Sequence, residues 1–184
     1  ERGGLSRRLV DVAESMIGGI RGGLGMVTIL ASMFFSAISG SGPATTAAVG
    51  GVMVPSLLER KYPRGFAGAI VATGGTLGVM IPPSILLILY GVITGVSITG
   101  LFMAALLPGL LIGVGLIVFV HIMCRIMGVH AVESRFNLAR LMTSIRKGIL
   151  AILAPIIILG GIYSGIFTPT ESAVVAAVYG IIVA

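Results

Sequence analysis

Two stretches of this 184-residue sequence carry the side chains and backbone from which chemistry could be built. The first is Ser39-Gly40-Ser41-Gly42-Pro43-Ala44-Thr45-Thr46, where hydroxyls alternate with glycine and proline inside a run, Gly22 to Leu58, that holds no charge. The second is Gly74-Gly75-Thr76-Leu77-Gly78-Val79-Met80-Ile81-Pro82-Pro83-Ser84, inside an uncharged run from Gly65 to Cys124. Oxygen is the ligand both supply. Hydroxyls of Ser39, Ser41, Thr45 and Thr46, with carbonyls freed between Gly74 and Gly78, suit an alkali cation. Half-helix N-termini near Pro43 and Pro83 suit an anion, because unpaired N–H groups and the helix dipole favour negative charge there. A nucleophilic Ser41, as in an intramembrane serine protease, is the rival chemistry and needs a base within hydrogen-bond reach. His130 lies in a basic segment and His121 near the end of an apolar run, so no base is expected beside Ser41. No Gly-x-x-x-x-Gly-Lys-[Ser/Thr] loop, His-Glu-x-x-His or Cys/His cluster occurs, which argues against a phosphate-loop ATPase and a transition-metal enzyme. A non-enzyme without an organic cofactor is expected.

The elements that position these stretches must be membrane helices. Hydrophobic residues make up 57% of the chain and charged residues 10%, against roughly a quarter charged in soluble domains. Several apolar runs exceed the ~20 residues needed to cross hydrocarbon. The net charge of +6 does not point to nucleic acid, because every Lys and Arg falls in one of three clusters: Arg2 to Arg21, Arg60 to Arg64, and Arg125 to Lys147. Basic flanks of this kind mark the cytoplasmic side. Cys124, the single cysteine, allows no internal disulfide. No cleavable signal pattern is visible, Glu1 is not an initiator methionine, and the chain stops within an apolar run at Ile181-Ile182-Val183-Ala184. An internal piece of a longer protein is therefore expected.

The organisation expected is all-α and polytopic. Residues 1–21 read as a cytoplasmic or interfacial arm with helical spacing of Leu5, Leu9, Val12, Ala13 and Met16. Residues 22–59 read as a helical hairpin, basic at both ends, with arms at or below the spanning limit. Irregular backbone in lipid is tolerated where protein buries it or a cavity wets it, so the reading adopted is a re-entrant hairpin with its tip at a binding site. The alternative is a short full-span hairpin whose glycines serve packing. Residues 60–95 read as a discontinuous transmembrane helix, unwound across Gly74 to Ser84; the alternative is a proline-kinked helix with a Gly74/Gly78 packing face. Then follow a transmembrane helix at 96–124 with a kink expected at Pro108, and a basic cytoplasmic loop at 125–147 with a surface helix over 136–145. A third span at 148–167 precedes the start of a further helix at 168–184. Thr168-Pro169-Thr170-Glu171 has the form of a capping box, which assigns Thr168 and Glu171 a structural role.

Residues 31–50, Gly75 to Ser84 and Gly165 to Glu171 closely resemble the large membrane subunit of the tripartite ATP-independent periplasmic (TRAP) transporters, and the likeness runs in order over essentially the whole chain. The resemblance implies a permease of the bacterial cytoplasmic (inner) membrane, a sodium-coupled importer of organic acids such as C4-dicarboxylates or sialic acid, working by elevator-type alternating access. It implies as partners a periplasmic substrate-binding protein and a small transmembrane subunit. Another ion-coupled anion transporter without a binding protein is the nearby alternative. Such subunits are built as an inverted repeat, of which about half is present here. The implied sodium site maps to Ser39, Gly40, Ser41, Gly74, Gly75 and Gly78. The implied substrate site maps to Ser41, Gly42, Thr45, Thr46, Thr76, Pro82, Pro83 and Ser84.

Overall fold

The computed structural model describes residues 13–14, 22–128, 149 and 153–183. They form helices, with no strand among the described residues: α1 Gly23–Ser39, α2 Gly42–Glu59, α3 Arg64–Met80, α4 Ile85–Thr94, α5 Ile98–Ile126, α6 Leu153–Tyr163 and α7 Pro169–Val183. The expected arm at 1–21 (apart from 13–14) and the surface helix at 136–145 lie outside the described residues.

Each helix stops for a local reason. Gly40 takes the left-handed conformation (φ 60°) and its N–H donates to the Ser36 carbonyl, a turn that closes α1 with little steric penalty at glycine. Ser41 is extended and caps α2, with Pro43 in the first turn, where a missing N–H is harmless. α3 ends at Met80 because Ile81 precedes a proline and is held extended (ψ 121°). Pro108 lies inside α5, a 29-residue helix that continues through it.

The order of packing follows from small residues. α3 lies against both arms of the hairpin, and α1 also packs on α5. Gly50 of α2 receives Val71, Gly25 of α1 receives Val120, and Gly113 of α5 receives Met33. The core between them is aliphatic: Val27, Ile29, Val49, Met53, Leu57, Ile70 and Leu77. At the basic end, Tyr62 pins the hairpin base. Its hydroxyl accepts from the Gly25 N–H (3.3 Å), and its ring stacks on Phe66 at 6.3 Å. Burial raises the pKa of that hydroxyl above its ordinary value. Gly22 sits against Cys124, so the start of α1, the α2–α3 turn with Arg60, Lys61 and Arg64, and the Arg125 end of α5 share one end of the molecule.

Arg64–Thr94 and Ile98–Ile126 are long and apolar enough to cross a membrane, and large side chains along them, among them Leu86, Ile93, Met103, Leu107 and Leu111, are more than half exposed. Water does not tolerate such a surface on a folded domain; hydrocarbon does. The chain is an all-α membrane protein.

Candidate functional site

The hairpin tip and the break after α3 meet. The Ile85 N–H donates to the Gly40 carbonyl (3.1 Å), which joins the first residue of α4 to the turn that ends α1. A side chain on Gly40 would strike the Pro83 carbonyl, so glycine is required here both for its φ and for this approach. The Pro82–Pro83 peptide bond is cis.

Behind the contact lies a knot of hydroxyls. Ser39 Oγ and Thr45 Oγ1 are 3.0 Å apart, and the Thr45 hydroxyl donates to the Ser41 carbonyl at 2.9 Å. Thr45 is fully buried. Ser41 Oγ accepts from the Ala44 N–H at 3.4 Å, a long bond that leaves this half-buried hydroxyl with donor capacity to spare. Thr46 donates to the Gly42 carbonyl and rests on Gly75. Gly78 closes the knot from α3: a Cβ there would stand 2.7 Å from both the Ser41 carbonyl and Thr45 Oγ1.

One expectation is corrected. Gly74, Gly75 and Gly78 are not unwound; they lie in α3, which stays helical to Met80. Their role is close approach. Gly74 faces Ser32 of α1, Gly75 faces Thr46 of α2, and Gly78 faces the tip. The unwound link is shorter, Ile81 to Ser84, and the prolines rather than the glycines cause it. Pro82 and Pro83 have no N–H, so the carbonyls of Gly78 and Val79 lack the helical donor four residues on. Of the three glycines, Gly78 is the one whose carbonyl the break frees.

The residues singled out in the sequence therefore divide by face. Ser39, Gly40, Pro83 and Ser84 line a cavity of about 240 Å³ that reaches to α6 and α7. Gly42, Thr46, Gly75 and Thr76 line a broader, open groove between α2 and α3. Ser41, Thr45 and Gly78 stand between the two, and Pro82 is buried. Thr76 is exposed, bonded to the Thr73 carbonyl, and is not part of the tip contact. No oxygen-rich set of acids joins either face: among the described residues there is no cluster of His, Cys, Asp or Glu that could hold a metal ion.

At the start of α7 the Thr168 N–H and hydroxyl both donate to Glu171 Oε2 (2.8 Å each), and the Glu171 N–H donates back to Thr168 Oγ1. Those bonds hold the exposed Glu171 carboxyl below its usual pKa. Two groups of polar residues escaped the sequence reading. Thr28, Ser32 and Ser36 form a buried ladder on α1, each donating to the carbonyl four residues back; their four-residue spacing was the available signal. Ser172, buried in the same cavity as Ser84, carried no signal beyond its place after the capping box.

His121 is far from the tip. Its neighbour Val120 packs on Gly25, near the start of α1, whereas Ser41 follows the end of that helix, roughly 20 Å away along the axis. His130 lies outside the described residues. The protease reading thus finds no histidine beside Ser41 among the described residues.

A family model described as "Tripartite ATP-independent periplasmic transporter, DctM component" matches residues 1–184. The chain is 47% identical over 182 residues to a C4-dicarboxylate TRAP transporter large permease protein of Pseudomonas aeruginosa, covering 99% of the chain and 42% of that protein. It is 46% identical over 181 residues to an isethionate TRAP transporter permease protein of Oleidesulfovibrio alaskensis, covering 98% of the chain and 28% of that protein. It is 38% identical over 178 residues to a sialic acid TRAP transporter large permease protein of Vibrio cholerae, covering 97% and 42%. The chain spans less than half the length of each of these relatives, and all three are named as permeases rather than enzymes.

Proposed function

The chain belongs to the DctM component family of the tripartite ATP-independent periplasmic transporters, and on that premise we propose that it supplies one half of the binding site of a sodium-coupled importer of organic acids in the bacterial inner membrane. The observation that carries the reading is the bond from the Ile85 N–H to the Gly40 carbonyl, which brings the hairpin tip level with the break.

That bond supports a reading of depth. The arms of the hairpin, 17 and 18 residues, are about 25–27 Å long, and α4, 10 residues or about 15 Å, continues beyond the tip. A tip that stops one α4 short of the far end of Arg64–Thr94 is re-entrant. The shared end bearing Arg60, Lys61, Arg64 and Arg125 is then cytoplasmic.

The ion is held by oxygens without a protein charge. The Gly78 carbonyl, freed by Pro82, together with Ser39, Gly40 and Ser41 at the tip, forms a set suited to sodium. The acid binds beside it. The first turn of α2, with its dipole and the Ser41 hydroxyl whose proton is uncommitted, attracts the carboxylate, while Thr45 and Thr46, their protons given to the Ser41 and Gly42 carbonyls, shape the site; the start of α4 after Pro83 attracts it from the other side, with Ser84 beside it as an uncharged contact. Substrates are of the kind named for the relatives, C4-dicarboxylates, isethionate or sialic acid. A periplasmic binding protein delivers the substrate, a small membrane subunit packs alongside, and the second half of the permease completes the site. Elevator-type movement carries the tip and break together, since they are bonded to one another.

The test is a single cysteine at Ser41 in a cysteine-free, full-length transporter in liposomes. Sodium, compared with choline at equal ionic strength, slows thiol modification at least several-fold if the tip holds the ion. Equal rates in the two salts would refute the sodium site.

A further inference from the structure

The cavity of about 240 Å³ on the α6–α7 side of the tip is lined by Ser84 and Ser172 amid Ile88, Phe102, Ile158 and Ile162. Both hydroxyls are buried, Ser84 at 0% and Ser172 at 1% exposure, and neither has a hydrogen-bond partner among the described residues. They come from separate elements. Ser84 precedes α4, and Ser172 is in the first turn of α7, its N–H already committed to the Thr168 carbonyl. Buried hydroxyls in native proteins are almost always paired, because an unpaired one loses its hydration and gains nothing for it. Two orphans facing one cavity therefore point to something that fits between them.

The walls decide its character. Among the described residues no charged side chain lines the cavity, and an ion moved into apolar surroundings without a partner is strongly disfavoured. Water occupies about 30 Å³ in the liquid, so there is room for several molecules or for the uncharged end of a larger one. We propose that this cavity is a second binding site, for a neutral hydroxyl group, with Ser84 and Ser172 as its contact residues: water when the transporter is empty, or a hydroxyl of a bound substrate. Ser84 is shared with the substrate site proposed above, so the inference rests on that reading; Ser172 and the exclusion of charge are its own.

The experiment uses the full-length transporter with its small subunit, purified, and compares wild type with Ser84→Ala, Ser172→Ala and the double variant. If water occupies the site, each single variant lowers the melting temperature by about 2 °C without ligand, and the double variant by less than the sum, because both hydroxyls share one partner. If a substrate hydroxyl occupies it, the single variants leave the ligand-free value unchanged. Malate then stabilises wild type more than succinate, which lacks the hydroxyl, and Ser172→Ala abolishes that difference. A melting temperature that rises in Ser172→Ala, or that is unchanged with no malate preference to lose, overturns the proposal, since the hydroxyls are then true orphans. Sodium protection at Ser41 is read separately and can fail with this result intact.

Discussion

At Gly40 α1 stops because one residue turns left-handed, and the groups left behind are largely taken up nearby: the Gly40 N–H by Ser36, its carbonyl by Ile85, and the Ala44 N–H by Ser41. At Ile81 α3 stops because the residues that follow have no N–H to offer, and the carbonyls of Gly78 and Val79 lose their helical donors. One interruption is made by conformational freedom and closes on itself. The other is made by deleting donors and stays open. The break leaves acceptors, while the tip supplies shape, hydroxyls and the bond that joins it to the break.

The largest effect tests whether the two interruptions must touch. Gly78→Leu drives a branched side chain into the Ser41 backbone and Thr45 Oγ1, both within 2.8 Å of where its Cβ would sit. Backbone cannot step aside as a side-chain end can, so the change costs about 3 kcal/mol, the upper end of overpacking. Uptake in the full-length transporter is abolished while membrane insertion, read by fractionation, persists. Normal uptake would mean that the tip and break work apart.

Gly40→Ala is next and can be split into parts. The left-handed φ costs an L-residue about 1–2 kcal/mol, and the clash with the Pro83 carbonyl adds to it. Gly95→Ala is the matched control: its φ is 72° but nothing lies within 4 Å of the added Cβ. Thermal unfolding that shows equal losses at the two positions would show the tip–break approach to be slack; a larger loss at Gly40 measures the contact itself.

Pro82→Ala restores one N–H within reach of the Gly78 carbonyl. A hydrogen bond there is worth about 1 kcal/mol net, and it competes with any cation for the same oxygen. On the proposed sodium reading, the sodium concentration giving half-maximal uptake rises about five- to tenfold. An unchanged sodium requirement would move the ion away from the break and leave the proline to shape alone.

Much of the architecture was legible before the structure. Composition and the runs without charge read as membrane helices, and Pro82-Pro83 announced a helix interruption because proline acts locally, on its own φ, its own missing donor and its predecessor. The glycines misled for an equally physical reason. Gly74, Gly75 and Gly78 weaken a helix by propensity, yet the same lack of a Cβ lets Ser32, Thr46 and the Ser41 backbone pack against them, and packing won. That outcome depends on residues 29 to 42 positions away and leaves no local mark. The meeting of Gly40 with Pro83, and of Ser84 with Ser172, is non-local in the same sense. Periodicity can say where a helix ends, but not what its end will face.

The smallest effect tests the self-closing half of the comparison. Ser41→Ala removes the acceptor for the Ala44 N–H, and a cap of this kind is worth about 1 kcal/mol when well made. Here the bond is long, 3.4 Å, and Pro43 in the first turn needs no partner of its own, so the loss in thermal stability falls at the low end, about 0.5 kcal/mol. Fold and insertion are untouched, which makes Ser41 the position where binding can be separated from stability. If the hydroxyl serves only the cap, Ser41→Asn restores stability and uptake together, because asparagine caps as well as serine. If the hydroxyl also meets the ion or the acid, the asparagine variant recovers stability while the sodium requirement stays raised, and the tip is then not closed on itself after all.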